Sequence, residues 1–320
     1  MKYTNAASIT LWVPGYFCNS ALISSRRLPV NIKFYRNCAS LSPDWDALEN
    51  AVKGESNPQI LILVHYFGFP NATTEAKRFC ESHGIILFED SAHVLCPNPH
   101  VGKADIQLFS PHKMLALPDG AILVASQDVI NLTRGTQCGS RKRDNLNWIT
   151  KRMIQKGLKK IHFPWHLVRS LDREIAPAGV GGGLQYNSYS LRLLTRLERK
   201  LEQVITQRRQ NYARILSWLT RVSSPRIFVP SLVEGVCPYA LPLKVESGCA
   251  SVVERLRSRG IPASTWPDLP PEVITSPRIH ADAISTFNKL MLIPIHQSLS
   301  VREVDQIGGA LNEVFKSISS

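Results

Sequence analysis

The chain has 320 residues, enough for two domains or for one large domain with an appendage. Its apolar share of 44% and charged share of 20% are those of a folded protein, which excludes a wholly disordered, collagen-like or coiled-coil chain. The net charge of +13 favours anionic partners such as phosphorylated metabolites, nucleic acid or an acidic membrane face.

The first half alternates short apolar runs with amphipathic stretches, which predicts an α/β fold with a mostly parallel sheet covered by helices. Helices are expected at Trp45–Val52, after a Ser42-Pro43-Asp44 cap with the proline in the first helical position, and at about Thr73–Ser82. The predicted strands are Ile9–Val13, Val30–Tyr35, Ile60–Val64, Gly84–Glu89, Ala104–Phe109 and Ala121–Ala125.

A basic segment, residues 127–185, holds eleven Lys or Arg against four Asp or Glu and so supplies +7 of the net charge. One interpretation is contact with a nucleotide diphosphate or an acidic lipid surface. The other, which we favour, is an excursion of the first domain with solvated charges. The Arg208-Arg209 pair is interpreted in the same way.

The period becomes helical over about 187–222, and a strand at Tyr239–Val245, a helix at Ser251–Arg259 and a last helix from Ser300 follow. We therefore predict a large domain over residues 1–186 and a small α+β domain over 187–320.

Cysteine and histidine spacing gives no sign of a disulfide framework or a metal site. The seven cysteines are odd in number and include no C-x-x-C pair, and a reducing cytoplasm fits this usage best. The uncharged stretch Tyr3–Ser25 is interrupted by Asn5 and Pro14, so we predict a buried strand and loop there and neither a signal peptide nor a membrane anchor. Seven histidines are interpreted as structural, at 65, 83, 100, 162, 166, 280 and 296.

Two strand ends carry side chains with possible chemistry. Asp90 closes the apolar run at Phe88, at the edge of a parallel sheet where ligands bind, although an isolated aspartate there is more often a helix cap. Lys113 follows a second strand through Ser110 and His112. Each of these three, taken singly, is ordinary turn or surface polarity.

Together, a lysine, a strand-end acid and a nearby hydroxyl are typical of a pyridoxal phosphate site. There the amine forms a Schiff base with the aldehyde, the carboxylate keeps the pyridine ring cationic, and the hydroxyl binds phosphate. Their flanks resemble the DegT/DnrJ/StrS sugar aminotransferases, which are fold-type I pyridoxal phosphate enzymes. The resemblance spans about residues 9–315 in the family's order, and its segments are 12–16, 64–70, 89–93, 109–113, 119–120, 292–296 and 300–304.

The resemblance implies a role for each matching residue. Lys113 would be the Schiff-base lysine and proton carrier, Asp90 the partner of the pyridine nitrogen, and His93 a neighbour of the ring oxygen. Ser110 would contact the phosphate. Asn187 would reach a phosphate across a homodimer interface.

An aromatic ring over the cofactor is expected near Tyr16 or Phe17, although a core aromatic fits either position equally well. No metal ligand and no nucleic-acid contact are predicted, and membrane contact of residues 127–185 is not favoured.

The family normally carries some tens of residues before the Val-Pro-Gly-Tyr equivalent, including a Gly-Thr or Gly-Ser turn that holds the cofactor phosphate. No such turn precedes Pro14, so we expect that the chain lacks this N-terminal segment. Asn187 is also followed by Ser188 and Tyr189 where the family commonly has an arginine soon after the asparagine.

The resulting expectation is a cytoplasmic pyridoxal 5'-phosphate aminotransferase that moves an amino group from glutamate to a keto group of a nucleotide-linked sugar, in polysaccharide or antibiotic sugar biosynthesis. The missing turn leaves open a catalytically impaired protein with a binding or regulatory role. The short Ser-x-His-Lys spacing leaves open a class V-like lyase. A desulfurase would need a nucleophilic loop cysteine, which the sequence does not single out.

Overall fold

A computed structural model describes residues 8–118, 120–125, 150, 188–219, 226–228 and 231–319. Its larger sheet has six strands in the order β2-β1-β3-β4-β5-β6. The strands are β1 (Ile9–Pro14), β2 (Val30–Tyr35), β3 (Gln59–Val64), β4 (Ile86–Ser91), β5 (Ile106–Phe109) and β6 (Ile122–Ala125).

Neighbouring strands from β2 to β5 are parallel, and β6 is antiparallel to β5 at the edge. Helices α1 (Trp45–Lys53) and α2 (Thr73–His83) connect β2, β3 and β4. Every predicted strand is present with its ends moved by two residues or fewer, which confirms the α/β class. The apolar runs locate these strands well because both faces of a covered parallel sheet are buried.

The start of α1 corrects one prediction. Asp44, and not Ser42, is the cap: its side chain accepts a hydrogen bond from the Ala47 backbone N–H at 3.0 Å. The helix begins at Trp45, so Pro43 precedes it instead of filling its first position. A carboxylate facing the free N–H groups of the first turn outcompetes the more distant serine. The helix predicted over about Thr73–Ser82 is α2, which ends at His83, and Gly84 follows it in the left-handed conformation with φ 66°.

The second half builds a four-stranded antiparallel sheet in the order β7-β8-β10-β9. The single long helix predicted over 187–222 is two helices, α3 (Ser188–Glu198) and α4 (Leu201–Leu219), broken by a turn at Arg199 and Lys200. The remaining elements are β7 (Arg226–Ile227), β8 (Leu241–Lys244), α5 (Cys249–Ser258), β9 (Ser264–Thr265), α6 (Pro271–Ile274), α7 (Ala281–Lys289), β10 (Leu290–Ile293) and α8 (Val301–Ser319).

A shared hydrophobic core joins the two sheets. Val13 and Tyr66 of the first half pack with Trp266, Val273 and Leu292 of the second. The two sheets are therefore held together where the cleft described below opens. The division of the chain at 186/187 stays a prediction, because that boundary lies outside the described residues, as does the basic segment apart from Thr150. Over the described residues, no helix is long and apolar enough to cross a membrane.

Candidate active site

The parallel pairing of β4 and β5 brings the two predicted chemical groups to one edge of the sheet. Asp90 is the penultimate residue of strand β4 and pairs with Leu108 of β5. The chain leaves β5 through Ser110 and enters a short 3-10 turn, Pro111–Lys113, in which the Lys113 N–H donates to the Ser110 carbonyl at 3.0 Å. The carboxyl ends of parallel strands meet at a common edge, which is the usual ligand edge of such sheets.

Asp90 is held at this edge by its own backbone. Its Oδ1 accepts a hydrogen bond from the Ala92 N–H at 3.0 Å. Burial raises the pKa of the Asp90 carboxyl, while the Ala92 hydrogen bond and the charges of Lys113 and His65 act against that rise. The ionised carboxylate is thus stabilised first by the Ala92 N–H and then by the neighbouring positive charge of Lys113.

Lys113 is exposed to the cleft, yet protein surrounds it closely enough that desolvation lowers the pKa of its amine. The nearby Asp90 carboxylate opposes this shift, and Cys18 opposes it to a lesser degree. A lysine with a lowered pKa has more of the neutral amine at a given pH, which is the nucleophilic and basic form.

His93 stands face to face with an aromatic ring of the second half. Its ring is 4.4 Å from that of Tyr239 with an angle of 8° between the planes, and Trp266 meets it edge-on at 5.9 Å. Burial, together with the Lys113 charge, holds the pKa of His93 well below its ordinary range. The imidazole is therefore neutral, and its Nδ1 faces the Phe67 N–H at 3.4 Å.

The loop after β3 holds Tyr239 in place through a close backbone approach. The Tyr239 N–H donates to the Phe67 carbonyl at 2.8 Å. Gly68, with φ 89°, is the residue that permits this: a Cβ there would lie 2.5 Å from the Cys237 carbonyl oxygen and 2.9 Å from the Tyr239 nitrogen. Only glycine combines that conformation with that proximity.

Lys113 and His93 open onto a cleft of about 410 Å³ whose opposite wall comes from the second half of the chain. That wall includes Tyr239, Trp266 and Arg208. Asp90 is not among the residues that line this cleft. Its carboxylate influences the cleft by its electrostatic effect on Lys113.

Arg208 corrects the interpretation of the Arg208-Arg209 pair as solvated charges. Only 2% of Arg208 is exposed, whereas Arg209 is half-buried. The missed signal is periodic: Arg208 lies four residues after Val204 and four before Tyr212, on the apolar stripe of α4. Burial lowers the pKa of its guanidinium.

The other predicted site residues are placed as follows. Ser110 is 8% exposed at the start of the 3-10 turn, and its side chain makes no capping hydrogen bond. Tyr16 is fully buried between Tyr66 and Trp266, its ring 4.9 Å from the Trp266 ring, which is the core position considered above; a contact of Tyr16 with a cofactor stays a prediction. Asn187 lies outside the described residues.

A family model matches residues 28–312, nearly the whole chain. The chain belongs to the DegT/DnrJ/EryC1/StrS aminotransferase family. A curated relative, dTDP-4-dehydro-2,3,6-trideoxy-D-glucose 4-aminotransferase of Saccharopolyspora spinosa, is 25% identical over 282 residues, covering 83% of this chain and 67% of the relative. The resemblance that the sequence suggested is thereby confirmed.

Solved structures show the same fold. The aminotransferase TlmJ of Streptoalloteichus hindustanus superposes with a TM-score of 0.71 at 17% identity, covering 98% of this chain and 80% of its own. Helicobacter pylori PseC, an aminotransferase involved in pseudoaminic acid biosynthesis, superposes with a TM-score of 0.71 at 15% identity, covering 99% of this chain and 82% of PseC. Such likenesses confirm the fold-type I architecture.

Pyridoxal 5'-phosphate is the cofactor of this aminotransferase family, and the described residues fit it. An amine with a lowered pKa and a carboxylate that interacts with it are the groups that the aldehyde and the pyridine nitrogen require, and the neutral imidazole of His93 faces the same cleft. The Ser110 hydroxyl, which makes no cap to the turn, is available to a phosphate.

Proposed function

We propose that this chain transfers an amino group from glutamate to a keto group of a nucleotide-linked sugar, with Lys113 as the catalytic residue. The observation that carries the proposal is the proximity of Lys113 and Asp90: Asp90 lies at the end of β4, Lys113 follows the adjacent strand β5, and the two groups act electrostatically on one another at the edge of a cleft. Pyridoxal phosphate supplies the aldehyde that exchanges amines and the ring that takes up electrons.

The protein's own groups have distinct tasks in this proposal. The Lys113 amine, whose pKa is lowered by desolvation, accepts a proton from the substrate carbon and returns it. The Asp90 carboxylate holds a pyridine N–H and preserves its charge. His93, kept neutral by burial, fixes the ring orientation by a hydrogen bond, while Ser110 holds the phosphate.

The substrate class rests on the relatives and on charge. The curated relative is named for a dTDP-linked keto sugar and PseC for pseudoaminic acid biosynthesis. A net charge of +13 suits a nucleotide diphosphate carrier. A cytoplasmic location, where nucleotide-linked sugars are metabolised, belongs to the same proposal.

A direct test incubates the full chain with pyridoxal phosphate, ¹⁵N-glutamate and a panel of nucleotide-linked 4-keto sugars. Mass spectrometry then follows 2-oxoglutarate and the labelled amino sugar. The proposal requires 2-oxoglutarate in proportion to amino sugar. Release of a product without any acceptor sugar would point to the lyase alternative, and no turnover with any acceptor would favour the impaired, binding role.

We also propose a homodimer. Tyr189 and Leu191 on α3 are exposed to 38% and 52% and lie two and four residues after Asn187, the residue expected to cross a subunit boundary. The proposal rests on that expected role of Asn187, and the exposed apolar side chains near it are consistent with a subunit contact. Sedimentation equilibrium is expected to give twice the 35.8 kDa chain mass, and the Leu191→Glu variant is expected to shift the protein toward the monomer.

A further inference from the structure

Arg208 is a buried cation whose partners among the described residues are all neutral. Its Nε donates to the Gln297 side-chain oxygen at 2.9 Å, and its Nη1 donates to the carbonyls of Pro238 and Tyr239 at 3.2 and 2.9 Å. Among the described residues no carboxylate pairs with it, in contrast to Arg214, which forms a two-point pair with Asp305. A charge removed from water without a counter-ion is costly, so a buried site of this kind suits an anion.

The guanidinium also has donors to spare. Five N–H groups are available on an arginine side chain, and the contacts of Arg208 use only its Nε and Nη1. The Nη2 amine carries no hydrogen bond to the described residues. The three existing bonds fix the plane of the group, and the two N–H groups of Nη2 are left to bind carboxylate oxygen by charge-assisted hydrogen bonds.

The Gln297 side chain links Arg208 to the turn that carries Lys113. Gln297 accepts from the Arg208 Nε and donates from its own Nε2 to the Met114 carbonyl at 2.8 Å. Met114 directly follows Lys113, so the guanidinium and the amine are set relative to each other by one amide. Both line the same cleft.

We propose that Arg208 binds the carboxylate of the organic acid that donates the amino group. This inference rests on the proposed function and deepens it by naming the residue that selects an acidic donor. The apolar wall formed by Trp266, Ile293 and Pro294 beside Arg208 suits the carbon chain of such an acid. A phosphate of the sugar carrier would share the same anion chemistry, and the experiment separates the two.

The test measures binding of glutarate, a non-reacting dicarboxylate, and separately of inorganic phosphate, to the full chain by isothermal titration calorimetry. Arg208→Gln is compared with Arg209→Gln. Arg209 is a matched control because it is the next residue of α4 and also donates to two backbone carbonyls, those of Val233 and Val236. Arg208→Lys keeps the positive charge but removes the planar guanidinium, and it replaces Arg208→Gln in the comparison if that variant fails to fold.

Arg208→Gln is expected to weaken glutarate binding about 10- to 100-fold, and Arg208→Lys about tenfold, with Arg209→Gln unchanged. Phosphate binding is expected to be alike in all four proteins. Equal glutarate binding by Arg208→Lys and the unaltered chain would overturn the proposal. So would a loss confined to phosphate.

Failure here is distinguishable from failure of the proposed function. Lys113 can be labelled by pyridoxal phosphate and borohydride in the same Arg208 variants. If Lys113 is labelled and glutarate binding is the same in the Arg208 variants as in the unaltered chain, only the role proposed for Arg208 is wrong. Absence of labelling in the unaltered chain, with glutarate binding still dependent on Arg208, removes the aminotransferase and leaves an acid-binding site.

Discussion

The two walls of the cleft are built on different physical principles. The wall from the six-stranded sheet carries Lys113, and Asp90 acts on that amine from outside the cleft lining, so the pKa of each group depends on the charge of the other. The wall from the second half carries Arg208, a permanent cation fixed by three hydrogen bonds, beside the flat surfaces of Tyr239 and Trp266. One wall can exchange protons, whereas the other can only bind and orient.

The largest effect is expected on the proton-exchanging wall. Lys113→Arg keeps a positive charge but removes the amine that exchanges protons, so amino transfer from glutamate is expected to fall by about 10²–10⁴-fold. Lys103→Arg is the matched control, because Lys103 lies outside the cleft lining and its amine reaches the Thr74 hydroxyl at 3.4 Å. Comparable loss in both variants would contradict a special role for Lys113.

The binding wall depends on Gly68, and a pair of glycine variants tests this. Gly68→Ala is expected to lower the free energy of unfolding by at least ~2 kcal/mol, because the new Cβ would meet the Cys237 carbonyl oxygen at 2.5 Å. Gly84→Ala faces open space at a similar positive φ and is expected to cost about 1 kcal/mol. Urea unfolding of both measures the difference, and equal losses would mean that the close approach to Tyr239 is unimportant.

The residues of the proton-exchanging wall could be predicted from the sequence, whereas the role of Arg208 in the binding wall could not. Asp90 lies at the end of one strand and Lys113 follows the next strand of a parallel sheet, so chain order together with parallel pairing puts them at one edge. Arg208 is buried by loops at 238–239 and at Gln297, the latter 89 residues away, and neither pattern nor composition reports such contacts. The strands β7, β9 and β10 and the helices α6 and α7 were not predicted from the sequence. For β7 and β9 the reason is their length, since two residues carry no period.

Asp90→Asn is expected to stabilise the ligand-free protein slightly at neutral pH while weakening pyridoxal phosphate binding about tenfold or more. Burial raises the pKa of Asp90 above its unfolded value, so the ionised carboxylate opposes folding at every pH above the folded pKa. That penalty disappears as the pH falls below the unfolded pKa. Thermal unfolding at pH 7 and pH 3 is expected to show a small gain for Asp90→Asn only at the higher pH, and a large loss at pH 7 would contradict the sign.

The smallest effect concerns the pH dependence of Lys113. The Asp90 carboxylate raises the pKa of this amine against desolvation, so Asp90→Asn is expected to lower it further. The pH of half-maximal reaction of Lys113 with an amine reagent, measured by peptide mass spectrometry, is then expected to move downward in the variant. An upward movement would show that the two groups do not interact as described.

The central claim, that Lys113 is the amine that holds pyridoxal phosphate beside Asp90, is tested most directly by covalent trapping. The full chain is mixed with pyridoxal phosphate at an equimolar ratio, reduced with borohydride, digested and mapped by mass spectrometry. The account predicts a pyridoxyl label concentrated on Lys113 and reduced in the Asp90→Asn variant. A label spread over surface lysines, with Lys113 unmodified, would contradict it.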